Sequence, residues 1–387
     1  MGMTRNKKFH ILNLILWLPI SAMAVSPGTS SVQEITTFSI DKSKNDLTTY
    51  FKSQYLNQDS EVNKANQFRV QLGLELDKRI TDQISFKLNT SLSLETGNSD
   101  SLYDNNEFKP DNSISLKRAE FIWSPLAQVQ ITAGALAMKD SNHGLLVGHG
   151  TFMGAKESYS FKSDNLEGSI SALQSIPKNT NYSNRLDEVN EENPSFYLES
   201  LTLKYGTAKN NIKSTTSHFA YANLSNSVAA TSYYLGNSVN LSDRTNGEFL
   251  FSYIGYAQKL EAQFEVSSFS INPYGEYIQN TAAPSNNEGR VLGLEAVYSK
   301  SDQEYTIDFC GFDSDSDSSV AFYNSSLYRN NNKRGNILKL KYEDLRSQLA
   351  FEMVLINSRL KNSIQLDDKN NEEQIIGLTL RKEYDIF

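Results

Sequence analysis

The stretch 338–356, LKLKYEDLRSQLAFEMVLI, holds two runs of period two. Leu338, Leu340 and Tyr342 alternate with Lys339 and Lys341. After Glu343, Asp344, Leu345 and Arg346, the row Leu349, Phe351, Met353 and Leu355 alternates with Gln348, Ala350 and Glu352. Such alternation gives a strand two unlike faces, and the short polar break predicts a tight hairpin. The unit recurs. Phe68, Val70, Leu72, Leu74 and Leu76 precede DKRITDQ, and Ile84, Phe86, Leu88, Leu92 and Leu94 return. Ile114 to Trp123 precedes the turn Ser124 to Gln128, and Val129, Ile131, Ala133 and Ala135 return. Tyr159 and Phe161 lead through KSDN to Leu166–Leu173, and Leu201, Leu203 and Tyr205 lead through GTAKNN to Ile212–Ala222. Phe249, Phe251, Tyr253 and Tyr256 lead through AQKLEA to Phe264–Ile278, where Pro273, lacking an N–H, predicts a bulge or protruding edge. Leu292 to Tyr298 and Tyr305 to Phe309 flank KSDQ, and Ile376, Leu378 and Leu380 run on to Phe387. With a weak first strand at Leu47–Leu56, the chain has about sixteen strands.

Short turns alternate with long polar loops. An aromatic stands before nearly every short turn: Trp123, Phe161, Tyr205, Tyr256, Tyr298, Tyr342 and Tyr384. Rings gathered on one rim are what a membrane interface selects. Aromatic cross-strand pairs in a soluble sandwich would explain the rings, but not the alternation of connection lengths. The expected fold is all-β: a closed antiparallel transmembrane β-barrel over residues 47–387, with apolar rows turned to lipid and polar rows turned inward. Closure leaves no unpaired edge in the bilayer.

The N-terminus reads as a signal peptide over residues 1–24. Arg5, Lys7 and Lys8 form its basic end, Ile11–Ile20 its apolar centre, and Ala22-Met23-Ala24 its cleavage site. The Ser/Thr-rich residues 25–46 read as a flexible leader. Removing the signal leaves 34 basic against 45 acidic residues, a balance of −11, which argues against nucleic acid as a partner. A lone Cys310 cannot form an intrachain disulfide. The 20 Tyr and 20 Phe against 2 Trp and 8 Pro suit an all-β chain. A mean hydropathy of −0.48 suits a barrel, in which only alternate strand residues meet lipid.

Signal, hairpin rhythm, aromatic rim, the strand sequences LKRAEFIW (116–123) and VQITAG (129–134), and a terminal Phe387 together resemble a Gram-negative outer-membrane porin of the sixteen-strand type. The resemblance covers the whole mature chain. It implies location in the outer membrane, short periplasmic turns and long extracellular loops. It also implies passive diffusion of small hydrophilic solutes and ions, with no cofactor and no enzymatic chemistry. The implied partners are outer-membrane lipid and lipopolysaccharide, the barrel assembly machinery through the last strand and Phe387, and further copies in a homotrimer. The last strand departs from the family pattern: its apolar residues fall on even positions, 376 to 384, whereas Phe387 is odd.

A barrel of this size encloses a water-filled channel whose selectivity lies in its inner charges and any inward loop. On the face opposite each apolar row stand Arg69, Lys87, Lys204, Lys339, Lys341 and Arg381, joined by Arg118 and Glu120 if the register shifts after Leu116. As a group they suggest a basic wall facing acidic loop residues; alternatively they solvate the interior and pair along the ladders. The loop 139–155, KDSNHGLLVGHGTFMGA, is glycine-rich and mildly apolar, and is the third long loop, the one that constricts the pore in the family. Asp140, His143 and His149 would be its polar contributions, or it is an ordinary surface loop. Two histidines six apart, with no third ligand near, give no metal site. Asp313, Asp315 and Asp317 resemble half a calcium loop but lack its glycine and final glutamate, and read as a solvated acidic loop.

Two other classes compete. A barrel hydrolase would need a nucleophile with its base, yet the mature chain has only His143, His149 and His218, and neither G-x-S-x-G nor H-E-x-x-H occurs. A non-conducting barrel serving adhesion or structure would differ from a porin by giving no conductance in a planar bilayer.

Overall fold

The computed structural model describes residues 46–60, 63–101, 112–141, 143–148, 150–178, 192–243, 246–328, 330–362 and 372–385. The expected signal, the leader up to residue 45, His149 and Phe387 lie outside the described residues; the leader's last residue, Asp46, opens the first strand. The strands are β1 (Asp46–Ser60), β2 (Asn63–Arg79), β3 (Ile84–Ser101), β4 (Ser113–Leu126), β5 (Val129–Ala137), β6 (Thr151–Ser163), β7 (Leu166–Ile176), β8 (Ser195–Gly206) and β9 (Asn210–Ala222). The short helix α1 (Asn226–Tyr234) and a two-stranded ribbon, β10 (Val239–Leu241) and β11 (Gly247–Phe249), come next. The chain then forms β12 (Ile254–Val266), β13 (Phe269–Asn280), β14 (Glu288–Lys300), β15 (Gln303–Ser314), β16 (Lys333–Asp344), β17 (Leu349–Leu360) and β18 (Glu372–Asp385). Sixteen of these, all but β10 and β11, pair antiparallel in chain order, and β18 pairs with β1 to close the barrel.

Period-two alternation builds the wall. On β2, Phe68 and Leu72 are exposed outside, while Gln67 and Gln71 are buried inside. The same alternation exposes Leu92 and Leu94, Ile114 and Leu116, Leu201 and Leu203, Leu292 and Leu294, and Ile307 and Phe309. An apolar outer face on a sheet without edges is the surface that a bilayer covers. At the short-turn rim, Phe269, Tyr298, Tyr305, Tyr342 and Phe351 stand directly opposite one another across five strands. Their ring centroids are 4.7 Å apart for Phe269–Tyr298 and 5.1 Å for Tyr305–Tyr342.

Four local expectations are corrected. Tyr256 lies near the start of β12, on the long-loop side, because AQKLEA is strand and the turn is Ser267-Ser268. Inward Lys259 and Glu261 alternate there with outward Gln258 and Leu260, so a polar run hides the strand period. Phe249 belongs to the ribbon and packs against Tyr253 with centroids 5.1 Å apart. Pro273 causes no bulge: the β12–β13 ladder keeps one register on either side and lapses opposite the proline, which faces outward. Finally, short and long connections do not alternate strictly, since β1 ends at Ser60 and β2 begins at Asn63.

The interior has two zones. Toward the short turns it is charged and polar. Toward the long loops, inward Phe152, Leu173, Phe196, Leu198, Phe219, Ile278, Phe312, Ile337, Ile356 and Ile375 form one buried apolar cluster with residues of the loops. An inner wall polar throughout is therefore not what the chain builds.

Candidate functional site

The loop 138–150 leaves β5 and crosses the lumen. Met138–Ser141 form a short 3-10 turn, and His143–Leu146 form a tight turn closed by Leu146 N and Val147 N donating to His143 O. Leu145, Leu146 and Val147 are buried in the apolar zone. The far anchor is Glu276 on β13, five strands round the ring from β6. Its carboxylate accepts from Leu145 N at 2.9 Å and Gly144 N at 3.2 Å. His143 Nε2 bonds the Ser217 hydroxyl of β9 at 2.8 Å, and Nδ1, buried without a hydrogen-bond partner, stands 4.0 Å from Glu276 Oε1. Burial above all, with the Lys259 charge after it, holds the imidazole down to about 4, so it is neutral at pH 7. At the near end, Asp140 pairs with Arg118 of β4.

A second loop, 315–332, also turns inward. Its acidic start is no solvated loop. Asp317 is 1% exposed and accepts from Ser238 Oγ at 2.6 Å, Ser316 Oγ at 2.8 Å and Ser238 N at 3.1 Å, while Asp313 and Asp315 pair with Lys361. The rest of the loop is held inside by amide chemistry. Asn331, 0% exposed, accepts from Asn324 Nδ2 at 2.7 Å and donates to Ser319 O at 2.6 Å and Ser316 O at 3.1 Å. Asn237 donates to the same two carbonyls and accepts from Ala321 N. Polar groups satisfied this fully can be buried at little cost. The loops meet where Ser325 N donates to Gly144 O at 2.8 Å and Gly148 N to Tyr323 O at 3.0 Å. Tyr323 stacks on Tyr221 of β9 at 5.7 Å and meets Phe152 edge-on at 5.1 Å.

All eight wall residues singled out in the sequence face the lumen, and seven of them stand in ion pairs with neighbouring groups of opposite charge. Lys87 pairs with Asp77 at 3.1 Å, Arg118 with Glu120 at 3.3 Å, Lys339 with Asp308 at 3.6 Å and Lys341 with Glu343 at 2.7 Å. Arg69 pairs with Glu95, and Arg381 with Glu383 at 2.7 Å and Glu75 at 3.2 Å. Lys204 stands opposite Glu167 and Lys213. A basic wall is thus replaced by interleaved charges of both signs, with Arg118–Asp140 the one wall-to-loop pair among these residues. Arg118 and Glu120 reach the interior through the β3–β4 register shift, which leaves Lys117 as the extra residue. Lys117 Nζ donates to the hydroxyl of inward Tyr50 at 2.8 Å, and Arg381 lies over that ring at 4.4 Å. The ring covers Gly73 so closely that a Cβ there would fall 2.0 Å from it. An isolated Gly on the polar face of a leucine-alternating strand was the available sign of this approach. Outside the lumen, His218 faces outward beside Glu199 and Tyr256.

The loops leave space on one side. A cavity of about 300 Å³ lies between Gln54, Arg69, Glu352, Thr379 and the loop residues Gly148 and Ser325. A second, about 340 Å³, adjoins it toward the short turns through Glu352 and Thr379, and is lined by Lys52, Lys341 and Arg381. Among the described residues, no group of three His, Cys, Asp or Glu side chains is placed to hold a metal ion.

No family model matches the sequence, and no curated relative matches it. The fold, however, is a known one. OprB of Pseudomonas putida, in its high-pH structure, aligns with a TM-score of 0.57 at 10% identity, over 88% of this chain and 94% of its own. OmpF of Salmonella typhi, in complex with daunomycin, aligns at 0.47 and 11% identity over 88% and 97%. OccK5 of Pseudomonas aeruginosa aligns at 0.46 and 12% over 88% and 98%. The chain has the closed sixteen-strand fold of the OprB barrel.

Proposed function

We propose that the protein is an outer-membrane porin: small hydrophilic solutes and ions diffuse through the barrel, and no reaction is catalysed. The observation that carries this reading is the lateral opening. Two loops fill much of the long-loop end of the lumen, packed on inward apolar residues from β6 to β18, while cavities lined by Gln54, Arg69, Glu352, Lys341 and Arg381 remain along β1, β2 and β16–β18. Size exclusion at the loops and the interleaved charges of that wall would set what passes. The signal peptide would deliver the chain to the Gram-negative outer membrane, the last strand and Phe387 would engage the assembly machinery, and lipid, lipopolysaccharide and sister copies in a homotrimer would surround the wall.

One observation favours a second reading. The loops dock through buried networks rather than loose contacts, as a non-conducting barrel for adhesion or structure would require. Planar-bilayer recording separates the two: a porin gives discrete conductance steps, and purified barrel that folds yet gives none overturns the porin reading. Liposome swelling with graded sugars and amino acids then sizes the passage. In a salt gradient, the Lys339→Gln, Lys341→Gln double variant should move the reversal potential toward cation selectivity, because Asp308 and Glu343 lose their partners. No movement would remove both lysines from the selectivity wall.

A further inference from the structure

Most charges of the inner wall are paired, but Lys52 of β1 and Glu352 of β17 are not. Both are half-buried and line the cavity of about 340 Å³ on the short-turn side of the loops. Neither makes an ion pair or a side-chain hydrogen bond with any described residue. The bases opposite them are already engaged. Arg381, opposite Lys52, is held by Glu383 at 2.7 Å and Glu75 at 3.2 Å. Lys341, opposite Glu352, is held by Glu343 at 2.7 Å. Between the two strands runs β18, whose Thr379 stands opposite Glu352 on one side and Gln54 on the other. Gln54 Nε2 donates to the Thr379 hydroxyl at 3.3 Å. Lys52 and Glu352 thus share one space across β18 without meeting. A charge that gives up part of its hydration and gains no partner is costly, and a solute carrying both signs supplies both partners.

Toward the long loops the lining changes. The adjoining cavity of about 300 Å³ shares Glu352 and Thr379 with the first, and Leu56, Val354, Ile375 and the second loop's Leu327 wall it. Leu56 and Val354 are the next inward positions beyond Gln54 and Glu352 on the same strands. Hydroxyl groups pressed on such a wall lose water and find no acceptor, whereas an apolar group is favoured there. A fitting occupant therefore carries a cation and an anion close together at one end and an apolar group at the other.

We propose that the passage selects α-amino acids with apolar side chains, the carboxylate on Lys52, the ammonium on Glu352 beside Thr379, and the side chain between Leu56, Val354 and Leu327. The inference rests on the porin reading and names the solute that the passage prefers. Below saturation, a site that binds and releases freely raises flux. The experiment is influx of radiolabelled leucine, glutamine and arabinose at low concentration into liposomes holding the refolded full-length barrel, less influx into liposomes without protein. Leucine should enter about tenfold faster than arabinose, the worth of one charge-assisted contact, with glutamine between them. Lys52→Gln and Glu352→Gln should each bring leucine down toward arabinose. Val354→Thr, which keeps the shape of the wall and both charges, should bring leucine down to glutamine and leave arabinose unchanged. Lys382→Gln, an outward base at the short-turn rim, should change none of the three rates. Leucinamide and isocaproate, each lacking one of the two charges, should compete with leucine influx more weakly than leucine does. Heat-modifiable gel mobility checks that each variant closes its barrel. Equal rates for the three solutes, a leucine preference that survives both charge substitutions, or competition by leucinamide equal to that by leucine would overturn the proposal and leave the porin reading standing. A closed barrel that admits none of the three and conducts nothing would overturn the porin reading, and this inference with it.

Discussion

The two inward loops reach the same place by opposite chemistry. The loop 138–150 is short and glycine-rich, and it buries Leu145, Leu146 and Val147 among the wall's aromatics while one strand carboxylate, Glu276, holds its turn. The loop 315–332 is rich in Asp, Ser and Asn, and it is buried as deeply: Ser318, Ser319, Asn331 and Asn332 are 0% exposed. The first is held by removal of apolar area from water. The second is held by a network in which each amide meets several backbone and hydroxyl partners. The difference has a consequence for how each fails. An apolar contact weakens by degrees, whereas a satisfied polar network leaves stranded groups when one member goes.

The largest effect is therefore expected from Asn331→Ala. It takes the acceptor from Asn324 Nδ2 and leaves the Ser316 and Ser319 carbonyls with one amide donor each, that of Asn237, at roughly 1–3 kcal/mol for a buried group left unmade. The loop should undock, new protease cuts should appear within 315–332, and single-channel conductance should rise. Unchanged conductance with intact protease resistance would mean the network is dispensable. Next comes the seam. Gly148 lies so close to the second loop that an added Cβ would fall 2.3–2.6 Å from Ser325, backbone included. Gly148→Ala should separate the loops at a cost of about 1–3 kcal/mol, and should raise open-channel noise without altering the barrel's heat stability. Glu276→Ala ranks third. It removes the acceptor of two N–H groups, costing on the order of 1–3 kcal/mol, and should loosen only the first loop, leaving proteolysis of 315–332 unchanged.

How much of this was readable beforehand follows from the same contrast. Strand faces were legible because period-two alternation survives wherever lipid demands an apolar row, as at Leu338, Leu340 and Tyr342 opposite Lys339 and Lys341. The inward fold of 138–150 was legible as an expectation because Gly and Leu in a long loop are out of place in water. The fold of 315–332 was not legible, because Asp, Ser and Asn read the same in solvent and in a buried network; only their partners distinguish the cases. Asp317, taken for part of an acidic surface, owes its burial to Ser238 and Tyr253, some 64 to 79 residues away in sequence. The lysines and arginines of the lumen were placed on the proper face by alternation, and pairing along the ladders stood as an alternative to a basic wall, yet which acid meets which base was not legible. Lys339–Asp308 is a register fact, fixed by which residue of β15 stands opposite β16. Likewise β12 was misread because Lys259 and Glu261 are as polar as a turn.

The smallest effect separates the loops by pH. His143 belongs to the first loop alone, and burial holds its imidazole down to about 4, against 6.5 in the open chain. A depressed value means that the undocked loop binds the proton more readily than the docked one. Docking is at full strength above 6.5 and weakens as pH falls from there toward about 4, where the loss is complete. At about one unit below 6.5 the loss amounts to roughly 1.4 kcal/mol. The second loop, held at its hub by amides that do not titrate, should not respond over this range. Conductance recorded from pH 7 to 5 should therefore grow noisier as the first loop frees itself, while protease resistance of 315–332 holds. His143→Asn, which keeps a polar group near Ser217 but cannot take up the proton, should flatten the response. If noise rises equally in that variant, the titrating group is another residue, and the first loop is not set apart by its histidine.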